Sequence, residues 1–260
     1  MNNATFSPPA PSLLQVRGLG HAFGGLSVLR DVNLDVPAGA ITGLIGPNGS
    51  GKTTCFNIMS GFLPPRAGRV SFDGQDVTTA SVQQRSRRGM VRTFQAPQVF
   101  PHLTVLENLM AGGHKHAGQG PLADMLRLAS SRRDLQRMEA DGRDIAQRFG
   151  LSSLLARPAG SLPAGQMRMV ELARACVGKP RLLMLDEPSS GLSSAEIDTL
   201  RDWIRQLNAE GMTILLVSHD MGLMNVAHRV NVLYYGEIIA SGNMAEIQAD
   251  ARVRDAYLGA

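Results

Sequence analysis

Apolar positions along this chain follow two rhythms. Short apolar runs at Leu13–Val16, Val28–Val36, Ala40–Ile45 and Arg69–Phe72 are separated by Gly and Pro turns and predict strands. A helix pattern starts after Gly51. From about Leu122 to Phe149 the spacing changes. The stretch LADMLRLASSRRDLQRMEADGRDIAQRF sets apolar residues at helical intervals, with charges of alternating sign that read as an exposed face. After Pro180 the two rhythms alternate: strand Leu182–Asp186, helix Ala195–Asn208, strand Thr213–Val217, helix Met221–Ala227, strand Val230–Tyr234. Strands alternating with helices indicate an α/β fold with parallel strands. The pattern predicts an α/β core with a helical insertion at roughly 96–178.

Composition narrows this picture. The 260 residues are 43% hydrophobic and 18% charged, which supports a buried core and excludes wholesale disorder. The best apolar runs are strand-length, whereas a membrane-spanning helix needs roughly 18 apolar residues in succession. Lys and Arg outnumber Asp and Glu by 26 to 22, a balance that tolerates anionic partners and demands none. Cys55 and Cys176 are too few for a disulfide framework, so a reduced cytosolic chain is expected. The opening MNNATFSPPAPS has no basic stretch followed by an apolar one; it reads as a mobile tail over residues 1–12 and not as a secretory signal.

The strongest chemical signal is GPNGSGKTT, comprising Gly46, Pro47, Asn48, Gly49, Ser50, Gly51, Lys52, Thr53 and Thr54. It fits the pattern G-x-x-x-x-G-K-[ST], follows an apolar strand and precedes a helical stretch, the context that pattern requires. Glycines let backbone N–H groups turn inward around phosphates, and the helix N-terminus favours negative charge. Lys52 would neutralise the β- and γ-phosphates of a nucleotide, the Thr53 hydroxyl would ligate Mg²⁺, and Thr54 adds a second hydroxyl. Farther on, RLLMLDEP carries Asp186 and Glu187 out of a buried strand at its C-terminal end, where α/β sheets place ligands. Asp186 is expected to act on Mg²⁺, directly or through water, and Glu187 to polarise a water toward the γ-phosphate.

Phosphate cradles of this kind serve several enzyme classes, and further motifs select among them. SLPAGQMRMVELARAC at 161–176 resembles the signature of ABC-type ATPases, normally L-S-G-G-Q followed by a helix; VSHD at 217–220 resembles their switch-histidine segment, and RTFQ at 92–95 their Q-loop. With the cradle and the Asp186 strand, five elements stand in that family's order. HAFGGLSVLRDVNLDV, RTFQAPQVFPHLTVLENLMAG, LPAGQ and the C-terminal VRDAYLGA resemble more closely the larger ATPase subunit of branched-chain amino-acid uptake systems. The implied fold is a P-loop ABC-type ATPase core, RecA-like with an N-terminal antiparallel β subdomain, plus a helical subdomain, all in one domain over 13–260.

The resemblance implies roles for particular residues. His219 would sense the γ-phosphate, and Gln95 would contact both Mg²⁺ and the reaction site. Phe23 would stack on adenine, with a core aromatic as the alternative reading. Leu162, Pro163, Ala164, Gly165 and Gln166 would form the signature, presented to a nucleotide on a partner. Pro163 stands where most relatives have Ser and Ala164 where they have Gly; Ser193, in SSGLS, replaces an Asp. In this family two ATPase subunits, alike or distinct, sit head to tail on transmembrane permease subunits at the cytoplasmic face of the membrane, and a solute-binding protein delivers cargo. Phe94, Pro97, Phe100 and Pro101 around Gln95 suit contact with a membrane subunit, against ordinary packing for the two phenylalanines.

Other features read more plainly. The basic run RSRRGMVR at 85–92 has no aromatic interleaving, so a solvated helix end is favoured over a phosphate-backbone site and no nucleic acid is expected. His114 and His116, in a Gly-rich loop, read as surface. Met59, Met110, Met125, Met138, Met167 and Met169 read as gap-fillers in helical packing. A soluble ABC ATPase acting on DNA or ribosomes would need a second cassette or a long coiled coil, and a small-molecule kinase would leave 162–166 and His219 without a role. The resemblance implies an importer ATPase for branched-chain or related amino acids, with urea, short amides and aromatic acids as alternatives, because in that family's architecture cargo never touches the ATPase subunit.

Overall fold

The computed structural model describes residues 11–113 and 128–258. The chain divides into two compact units, one comprising residues up to Arg85 together with Arg205 onward, the other Ser86–Ile204. His114, His116, Met125 and most of the N-terminal tail lie outside the described residues, as does the start of the helical stretch expected from Leu122.

In the first unit, β1 (Ser12–Phe23), β2 (Leu26–Pro37), β4 (Ala67–Phe72) and β5 (Gln75–Asp76) form an antiparallel sheet in the order β2-β1-β4-β5. β1 runs well past the apolar run Leu13–Val16. Gly18 and Gly20 fall in irregular pairing where the register with β2 and β4 shifts, so the ladder crosses glycines at which the apolar pattern stops. A second sheet contains β3 (Ile41–Ile45), which pairs in parallel with β8 (Thr213–Val217) and β9 (Arg229–Tyr234); β10 (Glu237–Gly242) pairs antiparallel with β9. β3 and β8 are buried at every position, as strands covered on both faces must be. Helix α1 (Lys52–Ser60) follows β3, and α8 (Met244–Ala249) and α9 (Ala251–Leu258) close the described chain.

The second unit pairs β6 (Met90–Arg92) in parallel with β7 (Leu182–Asp186) and packs three helices together: α3 (Val105–Gly112), α4 (Leu128–Arg148) and α5 (Ala164–Val177). A capping box starts α3, where Thr104 and Glu107 exchange backbone and side-chain bonds. At Gly112 an added methyl would overlap the Arg174 carbonyl, so α3 approaches α5 closely only because that position has no side chain. Two helices cross the unit boundary in sequence, α2 (Val82–Arg87) and α6 (Ser194–Ala209).

The helix expected over Met221–Ala227 is shorter. It spans only Met221–Met224, labelled α7, because the His228 N–H already pairs with the Ile41 carbonyl at 2.9 Å and the chain must turn before then.

In the basic run Arg87 and Arg88 are exposed, as a solvated helix end would be, but Arg85 departs from that expectation. Arg85 is 1% exposed, and its guanidinium donates to the carbonyls of Ile58 (2.8 Å) and Val77 (2.6 Å) and to those of Met59, Thr78 and Ala80. It therefore adds charged donors to the C-terminal carbonyls of α1, where the Gly61 N–H also reaches Ile58 at 3.1 Å. Burial pulls its pKa down to about 10, still well above neutrality, so the charge persists. Arg85→Ala removes the charged donor that these five carbonyls share. A loss of about 3 kcal/mol or more in denaturant unfolding is expected; a loss within about 0.5 kcal/mol, the range of an ordinary surface change, would remove this role from Arg85.

Candidate functional site

The first unit carries the glycine cradle. β3 delivers the chain, fully buried, to Gly46, and α1 begins six residues later at Lys52. Gly46 has φ 156°, Gly49 79° and Gly51 105°. At Gly46 a methyl would overlap the Leu233 carbonyl, and at Gly51 it would press on Leu29 and the Val28 carbonyl. Both positions thus exclude side chains for conformational and steric reasons together. Gly51 caps α1 without a side-chain bond and no acidic residue lies in the first turn, so no carboxylate of the helix itself answers its first N–H groups.

Lys52 is 8% exposed and curls over the loop, its Nζ donating to the carbonyls of Gly46 at 2.7 Å and Pro47 at 2.9 Å. Ser50 is 4% exposed and its Oγ has no hydrogen-bond partner among the described residues. A buried ammonium and an orphaned hydroxyl beside a ring of glycines suit a multiply charged oxyanion. Pro47 and Thr54 are half-buried, while Asn48 and Thr53 are exposed.

Two more expected residues belong to this unit. Phe23, at the end of β1, is 53% exposed and meets His21 edge-to-face at 4.6 Å, so it is a surface ring and not a core aromatic. His219 is exposed just after β8, where Ser218 Oγ accepts the Asp220 N–H at 3.0 Å and Asp220 caps α7 by accepting from Leu223 at 3.0 Å.

The second unit carries the other expected residues. β7 ends at Asp186, whose carboxylate lies 3.2 Å from Arg92 on β6 with both side chains 9% exposed. Burial draws Arg92 below the ordinary arginine range and Asp186 offsets part of that shift. Glu187 follows, half-buried, with φ 46°. A glutamate in the left-handed region is strained, and such strain is concentrated at functional sites. Gln95, after β6, is exposed.

The segment 162–166 opens α5. Leu162 is buried; Pro163 is the N-cap residue at φ −56°, one position before the first helical turn, and Ala164 begins the helix. No side chain caps this end. Gly165 is buried, and a methyl there would overlap the Glu196 carboxylate. The buried Gln166 Oε1 has no partner among the described residues. Ser193 caps α6 reciprocally with Glu196: the Ser193 N–H donates to Glu196 Oε2 at 2.8 Å, and the Glu196 N–H to Ser193 Oγ at 3.4 Å. Serine thus fills a capping place that aspartate would also fill.

A cavity of about 350 Å³ opens in this unit, lined by Arg92, Phe94, Phe100, Gly112, Glu171 and Arg174 among others. Phe94 and Phe100 are 37% and 49% exposed, with arginine heads over both rings, Arg92 at 4.8 Å and Arg174 at 5.1 Å.

Thr53 hydroxyl, Gln95 amide oxygen and Asp186 carboxylate are hard oxygen donors, the type Mg²⁺ prefers when substrate phosphates complete its shell. Among the described residues no group of three or more His, Cys, Asp or Glu is placed to hold a metal, so a site built wholly from such side chains is not present. Cys55 and Cys176 are free and buried, with burial pushing both thiols up to about 12, which makes them poor nucleophiles and ligands.

Sequence reasoning missed Arg85, Arg92, Arg168, Glu171 and Glu196. A faint signal existed for two of them: Arg168 and Glu171 are charged residues three apart inside the otherwise apolar helical stretch MRMVEL.

Residues 29–190 match the family model described as ABC transporter, and residues 237–260 match that of the branched-chain amino acid ATP-binding cassette transporter. The chain is 37% identical over 249 residues to the high-affinity branched-chain amino acid transport ATP-binding protein BraF of Pseudomonas aeruginosa, covering 95% of this chain and 98% of that one. It is 39% identical over the same length to LivG of Escherichia coli K12, which bears the same description. Its fold is similar to crystal structures of a nucleotide-free ATP-binding cassette from an ABC transporter and of an ABC transporter cassette in its ADP conformation. Each has a TM-score of 0.83 and 32% identity, over 96% of this chain and 100% of the other.

Proposed function

This chain belongs to the ABC transporter family and is an ATP-binding ATPase of it, and from that premise we propose that it powers uptake of branched-chain or closely related amino acids. The observation that supports the ATPase chemistry is the cradle: Lys52 held over Gly46 and Pro47 beside the orphaned Ser50 hydroxyl. The amino-acid cargo is supported by full-length likeness to BraF and LivG and by the match over 237–260.

In this reading Gly46–Thr54 wrap the triphosphate and Lys52 exchanges its two carbonyl partners for β- and γ-phosphate oxygens. Phe23 stacks on the base, which contributes roughly 1–3 kcal/mol. Glu187 takes a proton from the attacking water, and His219 donates to the γ-phosphate and registers its loss. Thr53, Gln95 and Asp186 would hold Mg²⁺, which supplies charge neutralisation at the phosphates when bound. Leu162–Gln166 address the nucleotide of a second ATPase subunit, alike or distinct. Pro163 costs this segment a backbone donor, and the uncapped start of α5 leaves its dipole available in compensation. Residues 13–260 act as one cassette, with the helical subdomain at about 96–178.

Among the described residues no helix is long and apolar enough to cross a membrane. In this reading permease subunits supply the membrane path, and this chain acts peripherally on their cytoplasmic face. Phe94, Phe100 and the cavity beside them are the surface assigned to that contact. A solute-binding protein supplies cargo from the other side.

The test is to purify the chain with its membrane subunits, reconstitute them in vesicles, and measure ATPase rate as the binding protein is loaded with leucine, isoleucine, valine, urea, short amides or aromatic acids. Stimulation by the branched-chain amino acids is expected. Stimulation by urea or an amide alone would overturn the cargo assignment and leave the ATPase assignment standing.

A further inference from the structure

The side chains of Phe94 and Gln95 point outward, yet their backbone is fastened to one face of α5. Arg168 Nη1 donates to the Phe94 carbonyl at 2.6 Å, and Nη2 donates to the Gln95 carbonyl. Glu171 Oε1 accepts the Phe94 N–H at 3.3 Å, while its Oε2 lies 2.7 Å from Arg168 Nη1. One further turn along, Arg174 Nη2 donates to the Gln98 carbonyl. Residues at i, i+3 and i+6 of the helix thus hold backbone groups of Phe94, Gln95 and Gln98. Arg168 and Glu171 are 1% and 2% exposed.

This arrangement is an expensive way to gain stability. A buried ion pair loses in desolvation much of what it gains by attraction, and well-packed apolar residues often do as well. A planar guanidinium, however, offers its donors in a fixed fork, and charge-assisted bonds to backbone hold position whatever the neighbouring side chains do. The same helix begins at Ala164, within the segment 162–166, and Arg168 stands two residues after Gln166.

We propose that Arg168, Glu171 and Arg174 are positioning residues that fasten the Gln95 loop to the helix of the 162–166 segment, so that the two move as one body. The proposal rests on the roles given above to Gln95 and 162–166. A displacement of the start of α5, as when it meets a nucleotide on a second subunit, is then carried directly to Gln95. A perturbation of the Gln95 loop is carried back to the start of α5 by the same bonds.

The experiment uses the full chain for amide exchange by NMR and the reconstituted complex for kinetics. Glu171→Gln and Arg168→Lys remove the charge pair or the fork. The double variant Arg168→Met with Glu171→Leu removes both charges at once, so it leaves no uncompensated buried ion if a single variant fails to fold. In the folded variants the Phe94 amide, whose N–H donates to Glu171, is expected to exchange at least about tenfold faster, the scale of one lost bond to a charged group, while amides within α5 keep their protection. In the complex kcat is expected to fall about tenfold or more with KM for ATP within about twofold, as for a misplaced group on an intact nucleotide site.

Unchanged exchange at Phe94 in the folded double variant would overturn the fastening. Equal loss of kcat and of folded fraction would reduce the pair to a structural role and overturn the proposal as well. Exchange is read on the chain without cargo or permease, so failure of the amino-acid assignment leaves this outcome readable.

Discussion

Glu187→Gln is expected to bind ATP as the parent does and to hydrolyse it at least about 10²-fold more slowly, the scale set by loss of a general base. Glutamine keeps the size of the side chain and one acceptor oxygen but cannot take a proton. The backbone at Glu187 already sits in the left-handed region at φ 46°, and glutamine meets the same strain there, so folding should be little altered. The carboxylate is half-buried at the end of a strand whose five residues are all buried, an anchored position from which a base can be aimed. The measurement is single-turnover hydrolysis at saturating ATP beside equilibrium nucleotide binding. A rate within about twofold of the parent would remove Glu187 from the proton transfer.

Lys52→Ala acts on the other half of the chemistry. Its ammonium is buried and bonded to two loop carbonyls, and in the proposed nucleotide complex phosphate oxygens would replace them. Hydrogen bonds to charged groups contribute about 1.5–3 kcal/mol, so affinity for ATP should fall by about 10- to 100-fold. Alanine is the best helix former, so α1 should persist, and thermal unfolding of the variant separates lost binding from lost folding. Unchanged affinity by calorimetry would sink the cradle as the triphosphate site.

The departures of 162–166 and Ser193 from the usual family pattern take on local meaning in the fold. Pro163 stands at the N-cap of α5, where its missing N–H is not a helical donor. Ser193 opens α6 in a reciprocal cap with Glu196, whose carboxylate is held below its usual range by the backbone and side-chain bonds from Ser193. That same carboxylate occupies the space a side chain at Gly165 would need, so one glutamate both caps α6 and packs against the 162–166 segment.

Much was legible from residue order alone: the cradle over Gly46–Thr54, the buried strand ending in Asp186 and Glu187, and the alternation of strand and helix after Pro180. These are local signals. A glycine spacing, a run of apolar residues and a helical period each bear on a few consecutive positions, and physical chemistry reads them without knowing what lies across the fold. The sequence of motifs then pointed to the ABC family, which the comparisons bear out over nearly the whole chain.

Tertiary structure alone decided the fate of the arginines. Arg85 lies in a run that reads as solvated, yet it is buried against carbonyls more than twenty residues distant in sequence. Arg92 meets Asp186 only because β6 and β7 run side by side, and Arg168 reaches Phe94 and Gln95 only because α5 passes beneath their backbone. A long cationic side chain carries enough apolar stem to be buried or exposed with equal ease, so composition cannot place its head. Where it goes depends on which carbonyls and carboxylates the fold brings within reach, and that is a property of packing rather than of neighbouring residues.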